Sequence, residues 1–207
     1  MMKRTEISRA TLGRIPQYLK YLKTVFPATD NISATVLAKE LGLGEVQVRK
    51  DLAAVSGAGR PKTGYRVDDL ILSLERFLND GEDCHVVIVG AGKLGRALLD
   101  YGGFGEYGLD ITAAFDIAVT KPEFSHSGKP IFPMADFENF CRDHRVKIGI
   151  LTVPSTQAQE VCDRMIKAGI RALWCFAPCT LRTPENVLVQ YENMALSLAF
   201  LNKKFKG

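Results

Sequence analysis

Three glycines at a fixed spacing are the residues of this chain whose types most clearly suggest a chemistry. Gly90, Gly92 and Gly95 form a Gly-x-Gly-x-x-Gly pattern directly after the apolar run 86–89. In nucleotide-binding folds the first glycine permits a tight turn, the second lets the backbone approach a pyrophosphate, and the third lets helix and strand pack closely. With a helix N-terminus behind it, the turn is expected to bind phosphate through Gly90, Ala91, Gly92, Lys93, Leu94 and Gly95.

An acidic residue and a later loop extend this predicted site. Asp116 lies 21 residues after Gly95, where a carboxylate accepts hydrogen bonds from the adenosine ribose. A carboxylate there would also repel a 2′-phosphate, which favours NAD(H) over NADP(H) as the cofactor. Thr152, Val153 and Pro154 follow a later predicted strand, at the edge where parallel sheets bind ligands. Two alternatives stay open: the glycines form only a packing turn while Asp116 caps a loop, and the later loop only caps a helix.

A second group of polar residues, nearer the N-terminus, suggests contact with nucleic acid. Gln47, Arg49 and Lys50 lie in the N-terminal half of a predicted helix, the part that usually meets base edges in helix-turn-helix proteins. Arginine can bond guanine through two hydrogen bonds, and glutamine can pair with adenine. The alternative is a solvated helix face on which Arg49 pairs with a nearby acid.

The charge of the chain is unevenly distributed in a way that agrees with this prediction. Residues 1–66 carry 12 Lys and Arg against 5 Asp and Glu, whereas the remainder carries 15 against 18. Such a balance is expected if only the N-terminal third touches phosphate, although a solvated basic surface would look the same. Within that third, the glycine-rich segment 56–67 predicts a hairpin, or wing. We expect its basic side chains to contact DNA phosphates: Arg60, Lys62 and Arg66.

Helices predicted on both sides of this segment would hold the basic residues in place. The first spans residues 14–26, with Pro16 in its first turn and Pro27 as its stop. The second begins after Ser33, a good N-cap, and ends at Gly42. The third runs from about residue 45 to 55 with three apolar residues facing inward, Val46, Leu52 and Val55. Asp68 or Asp69 caps a fourth helix, and the second and third form a helix-turn-helix pair.

From residue 84 onward, predicted strands and helices alternate. The strands are 85–89, 111–116, 148–152, 172–176 and 187–189, and helices follow Gly92 and span 135–142 and 155–167. Alternation of this kind predicts a parallel sheet covered by helices, as in a Rossmann-type fold. A last helix, 192–204, is apolar over most of its circumference, so it is expected to dock on a further surface such as a second subunit.

The fold class is therefore α/β, with three segments. A winged helix-turn-helix domain is expected over residues 1–80, a Rossmann NAD(H)-binding domain over 81–190, and a C-terminal dimerisation helix over 191–207. No apolar run is long enough for a membrane span, and the first residues lack a secretion signal, so a cytoplasmic protein is expected. Five cysteines without a Cys-x-x-Cys pair, and three scattered histidines, predict neither a disulfide framework nor a metal site.

With these residues identified, the chain resembles the Rex family of redox-sensing transcriptional repressors over nearly its whole length. The segments that carry the resemblance are 41–43, 47–52, 90–99, 114–116, Val153-Pro154 and Phe176-Ala177-Pro178. The resemblance implies a homodimer of winged-helix and Rossmann domains whose C-terminal helices swap between subunits. It also implies binding to double-stranded operator DNA at high NAD+ and release on binding NADH, with repression of genes for fermentation and anaerobic respiration.

The resemblance further implies roles for individual residues. Arg49 and Lys50 would enter the major groove with segment 60–66 as the wing, and Phe104 would lie near the nicotinamide. The family's domain contacts and redox switch involve an Arg, a Tyr and an Asp, which here are matched by Arg14, Tyr101 and Asn193. Asn193 keeps the hydrogen bonding of the family Asp but loses its charge, which implies an altered response to NADH. The glycine segment after the recognition helix also lacks the family's aromatics.

The preferred hypothesis is a dimeric repressor that senses the NADH/NAD+ ratio. One alternative is a small NAD-dependent dehydrogenase, but few residues remain for a substrate domain, and no Tyr-x-x-x-Lys pair or placed histidine base is evident. The other is a DNA-binding regulator whose nucleotide site is structural or takes another adenine ligand.

Overall fold

The chain divides into two compact units, residues 1–82 and 83–207. A computed structural model describes residues 7–25, 30–79 and 84–205. Each unit has its own hydrophobic core. The predicted domain junction at the polar turn 79–83 falls largely on residues outside those described.

The described residues of the N-terminal unit form four helices and a small two-stranded sheet. The helices are α1 (Arg9–Val25), α2 (Ala34–Leu41), α3 (Glu45–Ser56) and α4 (Val67–Asn79). The strands β1 (Asn31–Ile32) and β2 (Tyr65–Arg66) pair in antiparallel fashion.

Helix α1 begins earlier than its apolar spacing predicts. The hydroxyl of Ser8 accepts a hydrogen bond from the Thr11 N–H at 3.1 Å, as an N-cap does, so the helix starts at Arg9. The prediction that Pro16 lies in the first turn is therefore wrong: Pro16 is buried in the helix interior. Ile15, Tyr18 and Leu22 are fully buried and form the inward face of the helix. The predicted end at Phe26 and Pro27 lies outside the described residues.

The turn between α2 and α3 confirms the predicted helix-turn-helix pair. The Ser33 hydroxyl accepts from the Val36 N–H at 3.1 Å, and Gly42 ends α2 in the left-handed conformation with φ of 64°. The Leu43 N–H then returns to the Ala38 carbonyl at 2.8 Å, which satisfies a carbonyl that the helix end would leave unpaired.

The inward face of α3 differs from the predicted one. Leu52 and Val55 do pack on the core, but Val46 is 67% exposed. The buried stripe contains Val48 and Asp51 instead, which lie at the helical spacing that matches Leu52 and Val55. The predicted phase is wrong because an aspartate is normally exposed, whereas hydrogen bonds inside the unit allow the burial of Asp51.

Helix α4 begins one residue before the predicted caps. The Val67 N–H donates to the Asp30 carbonyl at 3.0 Å, so α4 starts at the buried Val67. Asp68 and Asp69 therefore lie in the first turn, where their charge favours the helix N-terminus, and neither is the N-cap.

Over residues 84–205, the C-terminal unit is built on a seven-stranded sheet. Its strands are β3 (Cys84–Val89), β4 (Leu109–Asp116), β5 (Glu123–Phe124), β6 (Pro130–Pro133), β7 (Ile148–Leu151), β8 (Ala172–Cys175) and β9 (Leu188–Tyr191). The order is β5-β6-β4-β3-β7-β8-β9, and only β5 runs antiparallel. The parallel sheet is confirmed. The strands β5 and β6 were not predicted, because a two-residue strand and a four-residue strand with proline at each end lack the usual strand pattern.

Helices α5 (Lys93–Leu99), α6 (Phe137–Asp143) and α7 (Ser155–Lys167) cover this sheet, with 3-10 helices at Gly102–Tyr107 and Met134–Asp136. A last helix, α8 (Met194–Phe205), follows β9. Alternate residues of β3 enter two different cores, Val87 and Val89 on one face, Val86 and Ile88 on the other. β3 lies between β4 and β7, so the chain crosses over in opposite directions on its two sides, and ligands bind at the resulting crevice in such sheets.

Helix α8 presents its apolar side chains to solvent within the single chain. The side-chain amide oxygen of Asn193 accepts from the Leu196 N–H at 3.0 Å and so caps the helix. At least 59% of each of five large apolar side chains is exposed: Met194, Leu196, Leu198, Phe200 and Leu201. Among the helices of the described residues, none is long and apolar enough to cross a membrane.

Candidate nucleotide-binding and DNA-binding sites

Two of the three motif glycines are required by the packing of the sheet unit itself. Gly90 has φ of 104°, and a Cβ there would lie 2.9 Å from the Thr152 carbonyl. A Cβ on Gly95 would lie 1.9 Å from the Gly90 carbonyl oxygen, so any side chain would push α5 away from the end of β3. These two positions account for the tight turn and the close helix–strand contact predicted from the sequence.

Gly92 is different, because neither backbone strain nor packing requires a glycine there. Its φ is −70°, which any residue adopts, and a Cβ on it would meet nothing within 4 Å. It directly precedes α5, whose first N–H groups are free to receive an anion. The open space over Gly92 therefore fits the close approach of a pyrophosphate to the backbone.

Side chains from three elements hold the glycine turn, residues 90–95, in place. The Thr152 hydroxyl, just after β7, donates to the Gly90 carbonyl at 2.7 Å. Arg96 on α5 donates from Nε to the Ala91 carbonyl at 2.9 Å, a contact that nothing in the motif spacing predicts. One oxygen of Asp116 accepts from the Ala91 N–H at 2.7 Å. Three side-chain hydrogen bonds thus stabilise the conformation of the turn.

Asp116 has a structural role and still faces the predicted site. Its second oxygen accepts from the Ala118 N–H at 2.8 Å, so the carboxylate does cap the loop after β4. An ionised carboxylate offers about four lone-pair sites, and two remain for ligand hydroxyl groups. Loop capping and ribose binding are therefore compatible at this residue.

A cavity of about 310 Å³ joins these predicted residues. It is lined by six of the predicted positions: Gly90, Gly92, Asp116, Thr152, Val153 and Pro154. Its other walls include Ile117, Met134 and Val161, which could not be predicted from the sequence because they belong to no motif. A polar rim beside apolar walls suits the sugar and the base of an adenosine.

Tyr101 and Phe104 do not line this cavity. Their rings pack edge to face with centroids 5.2 Å apart. The rings of Phe104 and Trp174 also pack edge to face, with centroids 6.1 Å apart. Trp174 in turn lies 4.5 Å from Phe176. The result is a row of aromatic rings near the end of β8, and the predicted nicotinamide contact of Phe104 remains a prediction.

On the N-terminal unit, the three predicted base-contacting residues of α3 are exposed: Gln47, Arg49 and Lys50. Arg49 forms an ion pair with Glu45 one turn earlier, so the alternative of a paired, solvated arginine describes the unit as it stands. An exposed pair of this kind stabilises a helix by only about 0.5 kcal/mol, so it would not prevent Arg49 from engaging a base.

The predicted wing is a tight hairpin beside α3. Arg60 and Gly64 exchange two backbone hydrogen bonds at 2.7 and 2.9 Å, and Lys62 lies at the tip with φ of 67°. A cleft of about 480 Å³ between the hairpin and the helices brings Arg49, Arg60 and Lys62 together. Arg66 does not line this cleft: its guanidinium bonds Asp68, and this hydrogen bond lowers the pKa of Asp68 to about 2.

A buried charge cluster that was not predicted from the sequence lies beneath α3. Arg14 on α1 donates from Nε and Nη2 to the two oxygens of Asp51, at 2.7 and 3.0 Å, and the Tyr18 hydroxyl donates to Asp51 at 2.7 Å. Burial alone would raise the pKa of Asp51, but the hydrogen bonds from Arg14 and Tyr18 outweigh it and lower the pKa. Arg14, predicted as a switch residue, is thus engaged within its own unit, and the switch role of Arg14, Tyr101 and Asn193 remains a prediction.

The depressed pKa of Asp51 predicts how the stability of the N-terminal unit depends on pH. Unfolded aspartate has a pKa of about 3.9, so the cluster stabilises the fold above that pH and the contribution is lost as pH falls through the folded-state value. Asp51→Asn is expected to lower the free energy of unfolding by about 2 kcal/mol at pH 7. It is also expected to reduce the loss of stability that the parent chain shows as the pH falls. Urea unfolding between pH 2.5 and 7 measures both.

Glu40→Gln is the matched control for this prediction, because Glu40 is an exposed acid on α2. It is expected to leave the free energy of unfolding and its pH profile nearly unchanged. If the free energy of unfolding of Asp51→Asn fell as steeply with decreasing pH as that of the parent chain, the cluster would not control stability in acid.

Two family models match the chain. One, the CoA binding domain, matches residues 81–179, and the other, putative DNA-binding protein N-terminus, matches residues 6–53. The redox-sensing transcriptional repressor Rex of Treponema denticola is 40% identical over 97% of this chain and 96% of its own length. The protein of the same name from Porphyromonas gingivalis is 37% identical over 98% and 94%.

Two solved structures are also similar to this chain over nearly its whole length. The crystal structure of RSP in complex with beta-NAD+ and operator DNA has a TM-score of 0.80 at 30% identity and covers 97% of this chain and 93% of its own. The structure of RSP in complex with beta-NADH has a TM-score of 0.69 at 29% identity, covering 97% and 95%.

Fold and sites together define a class of two-domain regulator, in which a helix-turn-helix unit precedes a parallel-sheet unit with a glycine turn. The chain belongs to the Rex family of redox-sensing transcriptional repressors.

Proposed function

We propose that this protein is a homodimeric repressor that binds double-stranded operator DNA and releases it when NADH occupies the cavity beside the glycine turn. The observation that carries the proposal is the correspondence, over nearly the full length of both chains, with a Rex-family structure that holds NAD+ and operator DNA. The relatives are named as transcriptional repressors, and the chain is a regulator rather than an enzyme.

Each feature of the sheet unit has a part in this proposal. The N–H groups at the start of α5 and the open space at Gly92 receive the pyrophosphate, and Asp116 accepts the ribose hydroxyls. Lys93 and Leu94 complete the turn, and residues 152–154 close the cavity beside the adenosine. Tyr101 and Phe104 lie on the nicotinamide side. The dinucleotide supplies the redox state, which the protein reads and does not change.

The N-terminal unit carries the DNA contacts. Gln47, Arg49 and Lys50 meet base edges in the major groove, and Arg60, Lys62 and Arg66 contact phosphates. The DNA-binding domain spans residues 1–80 and the NAD(H)-binding domain 81–190. A repressor of this kind acts on DNA in the cytoplasm.

The exposed apolar side chains of α8 support the dimer. A segment of this kind, residues 191–207, would bury its apolar surface against a second copy of the chain. Two copies place two α3 helices on successive half-sites, and NADH shifts the population to a dimer that cannot engage both at once. By reciprocity, operator DNA weakens NADH binding by the same factor.

A duplex-library selection on the purified full-length chain tests this function. Selection runs without ligand and with NAD+, NADH or coenzyme A, the last because a CoA-binding family model matches the sheet unit. We expect retained duplexes to contain two half-sites and NADH to lower retention on the order of tenfold, with no effect of coenzyme A. Equal retention in all four arms would contradict redox sensing, and no retention in any arm would contradict DNA binding.

A further inference from the structure

Hydrogen bonds to Arg14 favour one of the two orientations of the Gln47 side-chain amide. In the orientation that satisfies its hydrogen bonds, the amide oxygen accepts from Nη1 and Nη2 of Arg14 at 2.9 and 3.1 Å. A guanidinium carries only donors, so the opposite orientation would set the amide NH₂ against N–H groups. The side-chain amide oxygen of Gln47 is therefore already engaged in hydrogen bonds within the protein.

Arg14 is itself firmly anchored. Its other N–H groups form the two hydrogen bonds to Asp51, whose side chain is only 5% exposed and which also accepts from Tyr18. Arg14 joins α1 to α3 across 37 residues of sequence, so its position is set by the packing of the two helices. The direction of the Gln47 amide is consequently fixed by the tertiary structure of the unit.

The amide nitrogen of Gln47 is the part left for an incoming ligand. Gln47 is exposed on the N-terminal half of α3, and its NH₂ group has two hydrogens to donate. Pairing with adenine through two hydrogen bonds needs both the oxygen and the nitrogen of the amide, because adenine presents one donor and one acceptor in the major groove. Gln47 cannot pair with adenine in this way while its amide oxygen accepts from Arg14.

We propose that Arg14 fixes Gln47 as a pure hydrogen-bond donor, so that Gln47 selects guanine, which offers N7 and O6 as acceptors, over adenine. Gln47 is thus a specificity-determining residue, and Arg14 is a positioning residue that acts through it. The inference rests on the proposed operator binding, and it corrects the adenine pairing expected from the residue type alone.

The decisive variant is Gln47→Glu. A glutamate can keep one oxygen on Arg14 but replaces the donor NH₂ with a second acceptor, while the contacts of Asp51 stay intact. The selection described above is repeated without ligand on the full chain, and the position read by Gln47 is identified as the one that loses preference in Gln47→Ala. At that position we expect guanine in the parent chain and a shift on the order of tenfold towards cytosine, whose N4 is a donor, in Gln47→Glu.

A second pair of variants tests the part played by Arg14. The double variant Arg14→Met with Asp51→Asn removes the guanidinium without leaving a buried unpaired charge, and frees the amide to rotate. We expect adenine to gain on the order of tenfold over guanine at the Gln47 position. Asp51→Asn alone keeps Arg14 beside Gln47 and is expected to keep guanine. Base preference is the readout because a general loss of stability weakens all sequences alike.

The outcomes separate this inference from the function on which it rests. If the parent chain retains no duplex, the proposed function and the inference both fail. If the parent chain retains duplexes but prefers adenine at the Gln47 position, or if Gln47→Glu selects the same base there, the inference fails while operator binding stands. If circular dichroism shows that the double variant does not fold, the result for Gln47→Glu alone tests the inference.

Discussion

Gly92→Ala is expected to weaken NADH binding by at least about a hundredfold while barely changing the stability of the sheet unit. The added methyl group would occupy the open space over the first N–H groups of α5 and keep a pyrophosphate away from them. Each lost hydrogen bond to a charged oxygen costs about 1.5–3 kcal/mol, and two such losses exceed the roughly 2.7 kcal/mol that corresponds to a hundredfold. Isothermal titration with NADH measures the binding.

The matched control is the same substitution at Gly95. There a Cβ would lie 1.9 Å from the Gly90 carbonyl oxygen, so Gly95→Ala is expected to lower the free energy of unfolding by about 1–3 kcal/mol or more. For Gly92→Ala the expected loss is at most about 1 kcal/mol, because φ is −70° and nothing is contacted. Parent-like NADH affinity in Gly92→Ala would show that the glycine turn only packs, the alternative that the sequence left open.

Arg49→Ala is expected to lower operator affinity on the order of ten- to a hundredfold without changing NADH affinity in the absence of DNA. A bidentate arginine–guanine contact contributes about 1–3 kcal/mol of discrimination. The loss also leaves the carboxylate of Glu45, which Arg49 now neutralises, exposed towards the phosphates. NADH binding is expected to stay constant because Arg49 belongs to residues 1–82 and the glycine turn to residues 83–207. Fluorescence anisotropy with the selected operator measures the DNA affinity.

Arg76→Ala removes the same charge from the same unit and serves as the control. Arg76 is exposed in the last turn of α4, outside both α3 and the hairpin. It is expected to change operator affinity much less than Arg49→Ala and to leave base preference unaltered. An equal fall in both variants would reduce the role of Arg49 to overall charge, and a fall in NADH affinity would contradict the assignment of the two sites to separate units.

Much of the architecture could be predicted because the relevant signals are local. The strand before Gly90, the helix after Gly92, the capped helix between Ser33 and Gly42, and the alternation of strands and helices all follow from neighbouring residues. The parallel sheet followed from that alternation, since helical crossovers join parallel strands.

The wrong predictions concern helices α1 and α3. Pro16 lies inside α1 because the Ser8 cap starts the helix earlier than residue 14. The inward phase of α3 was wrong for a different reason, since it depends on contacts with distant parts of the chain. An aspartate is buried only when partners satisfy it, and Arg14 and Tyr18 lie more than thirty residues away in sequence.

The sequence by itself determined that a glycine turn between a strand and a helix follows a basic helix-turn-helix unit, because glycine spacing, helix caps and charge density are properties of short segments. Only the tertiary structure separated Gly92 from Gly90 and Gly95, because the space around a missing side chain depends on what packs against it. It alone also showed that Gln47 faces Arg14, and so which atoms of that amide remain for DNA. A hydrogen-bonding direction is a relation between helices brought together by folding, and no single segment contains it.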